Sequence, residues 1–345
     1  MDYFAIEEKA LKIIEKYTGA HYPPTTLPTF EFDAEKCTHC KACAQACPTS
    51  CIQWDEEKKM PYATGYKGME LACISCNTCE AVCPANCIRV RGEYRVLYGR
   101  YKTPDDKQGE MIPPMPFGDK DLNRDFEDIE KDLTETEKVI YRRRSIRLFR
   151  DKPVPKELIH RIIEAARFAP SAGNNQPWKF IVVTNRDLID KVDKQCAKVL
   201  DTIKWMYAGS STWRSIAVSL TSYLQVNNMD QRPIPAIQKV HQSGGSITWG
   251  APVLIHILKD VRGISNPDLD TGFAAHNLVL AAHSLGLGTC YIGFITSAIK
   301  YLPWLKKEIG IEYPYDLVTS VCVGYPKGKL DNPVHRGQVP VEWIE

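Results

Sequence analysis

The sequence lacks any long apolar run. Nowhere in its 345 residues do roughly 18 consecutive apolar residues occur, the approximate minimum for a membrane-spanning helix. The stretch "APVLIHILKD" is interrupted by His256 and ended by Lys259. The opening "MDYFAIEEKALKIIEKY" carries acids from Asp2 onward and has no secretory pattern of basic start, apolar core and small-residue cleavage site. We therefore expect a cytoplasmic protein that does not bind membranes.

The sequence also lacks an excess of charge of either sign, since its net charge is only +2. A chain this close to neutrality has no general electrostatic attraction to nucleic acid or to anionic lipid. Partners must therefore be inferred from individual sites, and we expect no nucleic-acid partner.

Cysteine, by contrast, is abundant. The chain has 13 cysteines, and ten of them lie between Cys37 and Cys87. Such clustering without a secretory signal favours ligation of a metal or an iron–sulfur cluster over disulfide bonds.

Eight of these cysteines form two runs with the same spacing, C-x2-C-x2-C-x3-C-P. The runs are Cys37, Cys40, Cys43 and Cys47, then Cys73, Cys76, Cys79 and Cys83. Three thiolates at this spacing can wrap one face of an iron–sulfur cube, and the fourth, followed by proline, turns toward another cube. Structural zinc and disulfides are the alternatives, but a paired-knuckle zinc site has no role for the third closely spaced cysteine.

Residues 30 to 95 resemble the bacterial two-cluster ferredoxin. The resemblance implies two [4Fe-4S] clusters with crossed ligation, one held by Cys37, Cys40, Cys43 and Cys83 and the other by Cys73, Cys76, Cys79 and Cys47. Cys51 and Cys87 follow the fourth cysteine of each run by four residues, where the family commonly has a small apolar residue. They are interpreted as small buried residues, with an additional ligand or redox role as the alternative.

Composition divides the chain into four parts. We predict an N-terminal amphipathic helix over residues 2–17, a proline-rich connector after it, and an interdomain linker in a stretch dense in Pro, Gly and Asp. The predicted boundaries are 1–29 for the helix and connector, 30–98 for the ferredoxin-like domain, 99–133 for the linker and 134–345 for a larger domain.

The larger domain alternates helix and strand signals, which predicts an α+β fold with a mixed central sheet flanked by helices. Thr134 and Glu137 fit a capping box that begins a short helix ending near Arg143, and "PVPKELIHRIIEAARFAP" predicts a second helix. Strands are predicted at 179–184, 252–258, 289–294 and 317–325, and helices near 187–200, 214–227, 272–285 and 297–309.

Two motifs in this domain suit a phosphorylated, planar cofactor. "YRRRSIRLFR" places five arginines within nine positions, and guanidinium groups pair well with phosphate. "PSAGNNQPWKF" is a small polar turn before a strand, in which backbone can approach a ring and Asn174 and Gln176 can offer amide hydrogen bonds. A nucleic-acid patch and an exposed helix end are the alternatives for the arginines.

From about Glu137 to its C-terminal end the chain resembles the FMN-dependent nitroreductase family, through "RRSIRLF", "PSAGNNQPW", "GAPVLI", "GFAAHNLVLAAHSLGLGTCYIGF" and "VGYP". The resemblance implies that Arg143, Arg144, Ser145 and Arg147 hold the phosphate, ribityl chain and pyrimidine edge of FMN. It further implies that Ser171, Ala172, Gly173 and Asn174 line the ring, that the backbone at Ile292 and Gly293 faces flavin N5, that Arg336 binds phosphate, and that the protein is a homodimer.

These motifs together predict an oxidoreductase in which flavin chemistry replaces a catalytic side chain. Electrons from a ferredoxin or from NAD(P)H would reach a small-molecule acceptor such as a nitro compound, quinone or enone. The alternative function is an electron-transfer module that relays electrons from NAD(P)H or ferredoxin to a protein partner.

Overall fold

The computed structural model describes residues 29–65, 73–74, 76–91, 112–121, 124–207, 236–237, 239–240, 246–328, 332–336 and 341–345. They form two compact units. The first consists of described residues within Met1–Ile129, Thr202–Lys239 and Pro333–Glu345, and the second of those within Glu130–Asp201 and Val240–Asn332. The predicted N-terminal helix and the predicted helix at 214–227 lie outside the described residues, and the four-part division stays a prediction.

The first unit contains both cysteine runs and is built from short elements. They are β1 Thr29–Phe32, α1 Ala42–Ala46, β2 Ile52–Asp55, β3 Met60–Ala63, α2 Thr78–Ala81, β4 Ile88–Arg91 and α3 Phe126–Ile129. β1 pairs with β4 and β2 pairs with β3, both antiparallel. In β4 the apolar Ile88 and Val90 are buried while Arg89 is exposed, as the period-2 pleat of a strand requires.

The two cysteine runs fold alike locally. Lys41 precedes α1 with φ 59°, and Asn77 precedes α2 with φ 48°. Each stands between the second and third cysteines of its run. The repeated cysteine spacing is therefore accompanied by a repeated backbone conformation, in which a residue with left-handed φ precedes each short helix.

The second unit is a four-stranded sheet with helices. Its elements are α4 Glu135–Arg142, α5 Lys156–Arg167, β5 Trp178–Val183, α6 Arg186–Tyr207, β6 Val253–Asp260, α7 Pro267–Ser284, β7 Gly288–Tyr291, α8 Gly293–Ile299, α9 Pro303–Ile309 and β8 Tyr315–Gly324. The last residues of α6, from Thr202 onward, are assigned to the first unit. The strand order is β5-β6-β8-β7, and all three pairings are antiparallel. Among the described residues the sheet is therefore antiparallel and not mixed as predicted, and Ser145 and Thr289 form an isolated parallel bridge outside its named strands. The predicted α+β class with helices around a sheet is confirmed.

The core of this unit lies where α5 and α7 pack with the sheet. Ile159, Ile162 and Ala166 recur at helical spacing on α5 and are buried together with Ile255 and Ile257 of β6. One apolar stripe on a helix thus meets the inward face of the central strand, which fixes the ends of both helices beside the sheet.

Most predicted elements are present, with shifted ends. The helix predicted at 272–285 begins earlier, at Pro267, because the Asn266 side chain accepts a hydrogen bond from the Leu269 N–H at 3.1 Å and caps it. The helix predicted at 297–309 is two helices, α8 and α9. Pro303 at the first turn of α9 disfavours helical geometry at Leu302, which has φ −124° and ψ 70°.

None of the described helices is both long enough and apolar enough to cross a membrane.

Candidate cofactor sites

Four of the eight predicted cluster ligands line one cavity in the first unit. Cys47 lies on it together with Cys73, Cys76 and Cys79 of the second run. Most of the remaining lining is apolar and consists of Phe30, Pro48, Ile52, Ile74 and Val90, with Thr49, Cys51 and Asn77 beside them. Thiols that converge on a dry, apolar space are the environment an iron–sulfur cluster requires. The residues present fit the second of the two predicted ligand sets.

In the other predicted ligand set, Cys43 has Cys37, Cys40 and Cys83 as neighbours. Burial raises the pKa of the Cys43 thiol to about 12, and the neighbouring Cys83, Cys40 and Cys37 raise it further by charge repulsion. Burial likewise raises the pKa of Cys79, with repulsion from Cys76 and Cys47. Buried thiols packed this closely deprotonate only when a metal compensates their charge. Cys83 therefore neighbours the first run and Cys47 the second.

Cys51 and Cys87 are buried, as predicted, at 1% and 5% exposure. The Cys87 Sγ is 3.3 Å from the Cys83 Sγ, and Cys51 lines the cavity of the second set. All thirteen cysteines fall within described residues, and none of them forms a disulfide. In the described part of the chain, no three His, Cys, Asp or Glu side chains are arranged to hold a metal ion. The assignment of the eight ligands stays a prediction.

The arginine-rich segment lies beside β7 in the second unit. The Ile146 N–H donates to the Thr289 carbonyl at 2.8 Å, and Ser145 bridges Thr289. β7 leads directly to Ile292 and Gly293, so Ser145 and these two residues belong to adjacent backbone segments. Ile292 is buried and Gly293 is exposed, and a Cβ added to Gly293 would meet no atom within 4 Å. Backbone is therefore open to a ligand at this point.

The arginines of this segment make different contacts. Arg142 pairs with Glu130, Arg144 is 3% exposed and donates to the Asn332 carbonyl, and Arg150 donates to the Pro326 carbonyl at 3.0 Å. Burial lowers the pKa of His276 on α7, and the positive charge of Arg143 lowers it further. Arg143 therefore faces α7, and three of the arginines serve contacts within the unit.

The turn "SAGNNQ" is held by two hydrogen bonds. The Ser171 Oγ accepts from the Gln176 N–H at 3.0 Å, and the Asp270 Oδ2 accepts from the Ala172 N–H at 3.1 Å. Gly173 and Asn174 have φ 56° and 54°, and this part of the turn is exposed. The Gln176 Nε2 donates to the Asn174 Oδ1 at 3.3 Å, so these amides lie side by side.

Asp270 is a functional candidate that sequence reasoning missed. It is 6% exposed, lies on α7 and supports the turn from 98 residues away in sequence. Its only sequence signal is a carboxylate in the first turn of a helix, which capping and dipole effects already explain. α7 thus supports the turn through Asp270, and its His276 lies close enough to Arg143 for that charge to affect it.

Arg336 stands apart from the other flavin candidates. It is exposed, its backbone exchanges two 2.9 Å hydrogen bonds with Ile112, and it belongs to the first compact unit. The remaining predicted FMN residues belong to the second unit. The predicted role of Arg336 in binding phosphate stays a prediction.

Two protein-family models match the chain. The model of the 4Fe-4S dicluster domain matches residues 36–87, and that of the nitroreductase family matches residues 140–325, more than half of the chain. The chain belongs to the nitroreductase family. This membership confirms the prediction of a nitroreductase-like, FMN-dependent oxidoreductase with a 4Fe-4S ferredoxin domain before it.

Several nitroreductase-family proteins show the range of relatives. A protein of Archaeoglobus fulgidus, provisionally described as an NADH dehydrogenase/NAD(P)H nitroreductase, is 29% identical over 58% of this chain and 90% of its own length. Iodotyrosine deiodinase 1 of Rattus norvegicus is 26% identical over 54% of this chain and 61% of its own length. The crystal structure of an FMN-bound nitroreductase from Desulfitobacterium hafniense is 26% identical, covers 62% of this chain and 100% of its own, and has a TM-score of 0.46.

Proposed function

We propose that this protein is an iron–sulfur flavoprotein oxidoreductase in which electrons pass through two [4Fe-4S] clusters to FMN and then to a small conjugated acceptor. Nitro compounds, quinones and enones are the candidate acceptors, and the name of the rat relative adds iodotyrosine. One observation carries the proposal. Two four-cysteine runs, which the 4Fe-4S dicluster model matches and four of whose thiols line one cavity, occur in the same chain as a nitroreductase-family domain.

The residues of the second unit suit FMN. Bound FMN supplies the capacity to exchange electrons singly with an iron–sulfur cluster and in pairs with an organic acceptor. Guanidinium groups of Arg143, Arg144 and Arg147 and the hydroxyl of Ser145 would hold its phosphate, ribityl chain and pyrimidine edge. Positive charge there favours an electron-rich ring.

The exposed turn would line the ring of FMN. Ser171, Ala172, Gly173 and Asn174 contribute small side chains and backbone, and Gln176 contributes an amide that already contacts Asn174. The buried Asp270 keeps the turn in place, and Gly293, directly after the buried Ile292, offers open backbone just beyond β7. The cationic donors of the arginine segment suit the phosphate end of this cofactor, and the neutral donors of the turn suit its ring.

We place the protein in the cytoplasm and assign it a homodimer. None of the thirteen cysteines, all of which are described, forms a disulfide, as is usual in a reducing compartment. The apolar side chains of Leu269 and Phe273, one turn apart on α7, are 51% and 42% exposed, and Ile264 is 57% exposed. Such a face suits a second copy of the chain. Sedimentation equilibrium that returned the monomer mass at all concentrations would contradict the dimer.

The first test measures the iron, sulfide and flavin content of the protein. Protein purified without oxygen is expected to contain about eight iron atoms, about eight sulfides and about one FMN per chain. Zinc in place of iron, or iron without flavin, would end the proposal.

The second test concerns the electron donor, for which we favour a reduced ferredoxin over NAD(P)H. In anaerobic stopped-flow experiments, reduced ferredoxin is expected to bleach the cluster absorbance before the flavin absorbance. A Cys76→Ser variant should lose this ferredoxin-driven reduction while still binding FMN. Rapid flavin reduction by NADH or NADPH alone would reverse the proposed order, with the clusters carrying electrons to a protein partner.

A further inference from the structure

Asn77 is a buried amide in the wall of the cavity that Cys47, Cys73, Cys76 and Cys79 line. It is 3% exposed, and neither its Nδ2 nor its Oδ1 has a hydrogen-bond partner among the described residues. A buried polar group without a partner is costly, and native proteins rarely contain one. A group in the cavity that accepts a hydrogen bond from the amide nitrogen would remove this cost.

The chemistry of the cavity identifies that group. Apart from Thr49, whose hydroxyl oxygen is 3.6 Å from the Cys47 Sγ, its other walls are thiols and apolar side chains, which do not accept a strong hydrogen bond from an amide. The sulfides and thiolates of an iron–sulfur cluster are anionic acceptors, and hydrogen bonds to them help set the reduction potential. An N–H donor stabilises the reduced cluster more than the oxidised one, because the reduced cluster carries the extra negative charge.

We propose that the Asn77 side chain donates a hydrogen bond to a sulfur of the cluster held by Cys47, Cys73, Cys76 and Cys79, and that it raises the reduction potential of this cluster. The inference rests on the proposed function, since it requires that these four cysteines bind a cluster. Asn77 is a positioning residue in this assignment. Its side chain contributes a hydrogen-bond donor to the cluster and does not ligate iron.

The other cysteine run has a different residue at the same place. Lys41, which matches Asn77 in spacing and in left-handed backbone, directs its ammonium outward to Glu56 at 2.6 Å and to the Trp54 ring at 5.5 Å. Its side chain is 40% exposed. The two runs are therefore alike in backbone and unlike in this donor, so the two clusters are expected to have distinguishable potentials, with the one beside Asn77 raised.

The test replaces the amide and keeps the backbone. Asn77→Gly retains the left-handed conformation, because glycine adopts positive φ at no steric cost, and removes the donor. Asn86→Gly is the matched control. Asn86 also has φ 48° and follows Cys83 by three residues, but it is exposed. Both variants are examined as full-length protein with iron content measured.

In an EPR-monitored redox titration, Asn77→Gly is expected to move one cluster to lower potential and leave the other unchanged. Asn77→Asp, which replaces the N–H donor by an acceptor, is expected to move the same cluster further. Asn86→Gly should leave both potentials where they are. Wild-type potentials in an Asn77→Gly protein with a full complement of iron would overturn the inference.

A second measurement needs no substitution. Wild-type protein labelled with 15N at asparagine side-chain amides is expected to show a hyperfine coupling from that nitrogen to one reduced cluster in pulsed EPR, and absence of the coupling would overturn the inference. Failure of the proposed function looks different, because wild-type protein would then contain no iron–sulfur cluster at all.

Discussion

His256 lies on the central strand β6 and has no exposed surface. Its Nδ1 is 2.9 Å from the Ser320 Oγ on β8, and its Nε2 has no partner among the described residues. Burial in this apolar sheet lowers the pKa of the imidazole to about 4. The residue is therefore neutral in the folded protein at any pH near 7.

This histidine predicts a loss of stability in mild acid. The unfolded chain protonates His256 below about pH 6.5, whereas the folded protein resists protonation until about pH 4, so its contribution is complete above pH 6.5 and is lost as the pH falls toward 4. His256→Asn is expected to remove roughly 3 kcal/mol of this pH dependence. Denaturant unfolding of both proteins between pH 4 and 7 measures it.

The comparison with wild type is needed because another buried group acts in the opposite direction. Burial raises the pKa of Asp193 to about 6, so this carboxyl makes the folded protein more stable as the pH falls. His160→Asn is the control, since His160 is exposed on α5. Parallel pH profiles for wild type and His256→Asn would contradict the assignment.

At the scale of elements, α4 is the helix that delivers the arginine segment. Thr134 caps it by accepting from the Glu137 N–H, and the Glu137 Oε2 accepts from the Thr134 N–H at 2.8 Å. Both halves of the predicted capping box are present, so this prediction is confirmed. The helix ends at Arg142, directly before the first FMN candidate, Arg143.

Removing this cap should loosen the segment that follows it. Thr134→Ala is expected to lower the free energy of unfolding by about 1 kcal/mol and to weaken FMN binding, because the first turn of α4 loses its side-chain acceptor. Thr134→Ser keeps the hydroxyl and is expected to behave as wild type. Chemical denaturation and flavin fluorescence titration give both quantities, and equal values for the Ala and Ser variants would contradict the role of the cap.

The contact between β7 and the arginine segment allows no side chain at Gly288. A Cβ there would lie 2.8 Å from both Cγ atoms of Ile146, which is β-branched and stiff. Gly288→Ala is expected to lower the free energy of unfolding by roughly 1–3 kcal/mol. It should also raise the Kd for FMN, since Ile146 must move together with Ser145.

A double variant shows whether that clash is the cause. Gly288→Ala combined with Ile146→Ala is expected to be more stable than the sum of the two single changes predicts, because the smaller side chain leaves room for the new methyl group. Strict additivity in denaturant unfolding would contradict the proposed contact.

At the scale of the whole molecule, the pattern of ligation determines which cysteines bind the same cluster. Crossed ligation predicts that Cys47→Ser abolishes the same cluster as Cys79→Ser, and that Cys83→Ser abolishes the same cluster as Cys43→Ser. Each variant is expected to retain about four iron atoms. Redox titration identifies the signal that is lost, and loss of the same signal in Cys47→Ser and Cys43→Ser would show uncrossed ligation.

Much of this protein could be predicted from local pattern. The cysteine spacing, the capping box, the exposed polar turn and the four strands of the sheet each depend on residues close together in sequence, so their physical causes can be read in a short window. Predictions of where a helix begins or ends were less accurate. The break at Leu302 and the early start of α7 at Pro267 depend on single capping and proline effects within longer helical patterns.

The sequence by itself determined the chemistry of the chain, since thiol spacing and the order of the family motifs are properties of the primary structure. Only the tertiary structure decided which distant residues support that chemistry. Asp270 reaches the turn at Ala172, and Asn77 is enclosed in a cavity lined by cysteines of both runs, with no side-chain hydrogen-bond partner among the described residues. The reason is physical, because burial and hydrogen bonding across such separations depend on how packed elements meet, which no local pattern encodes.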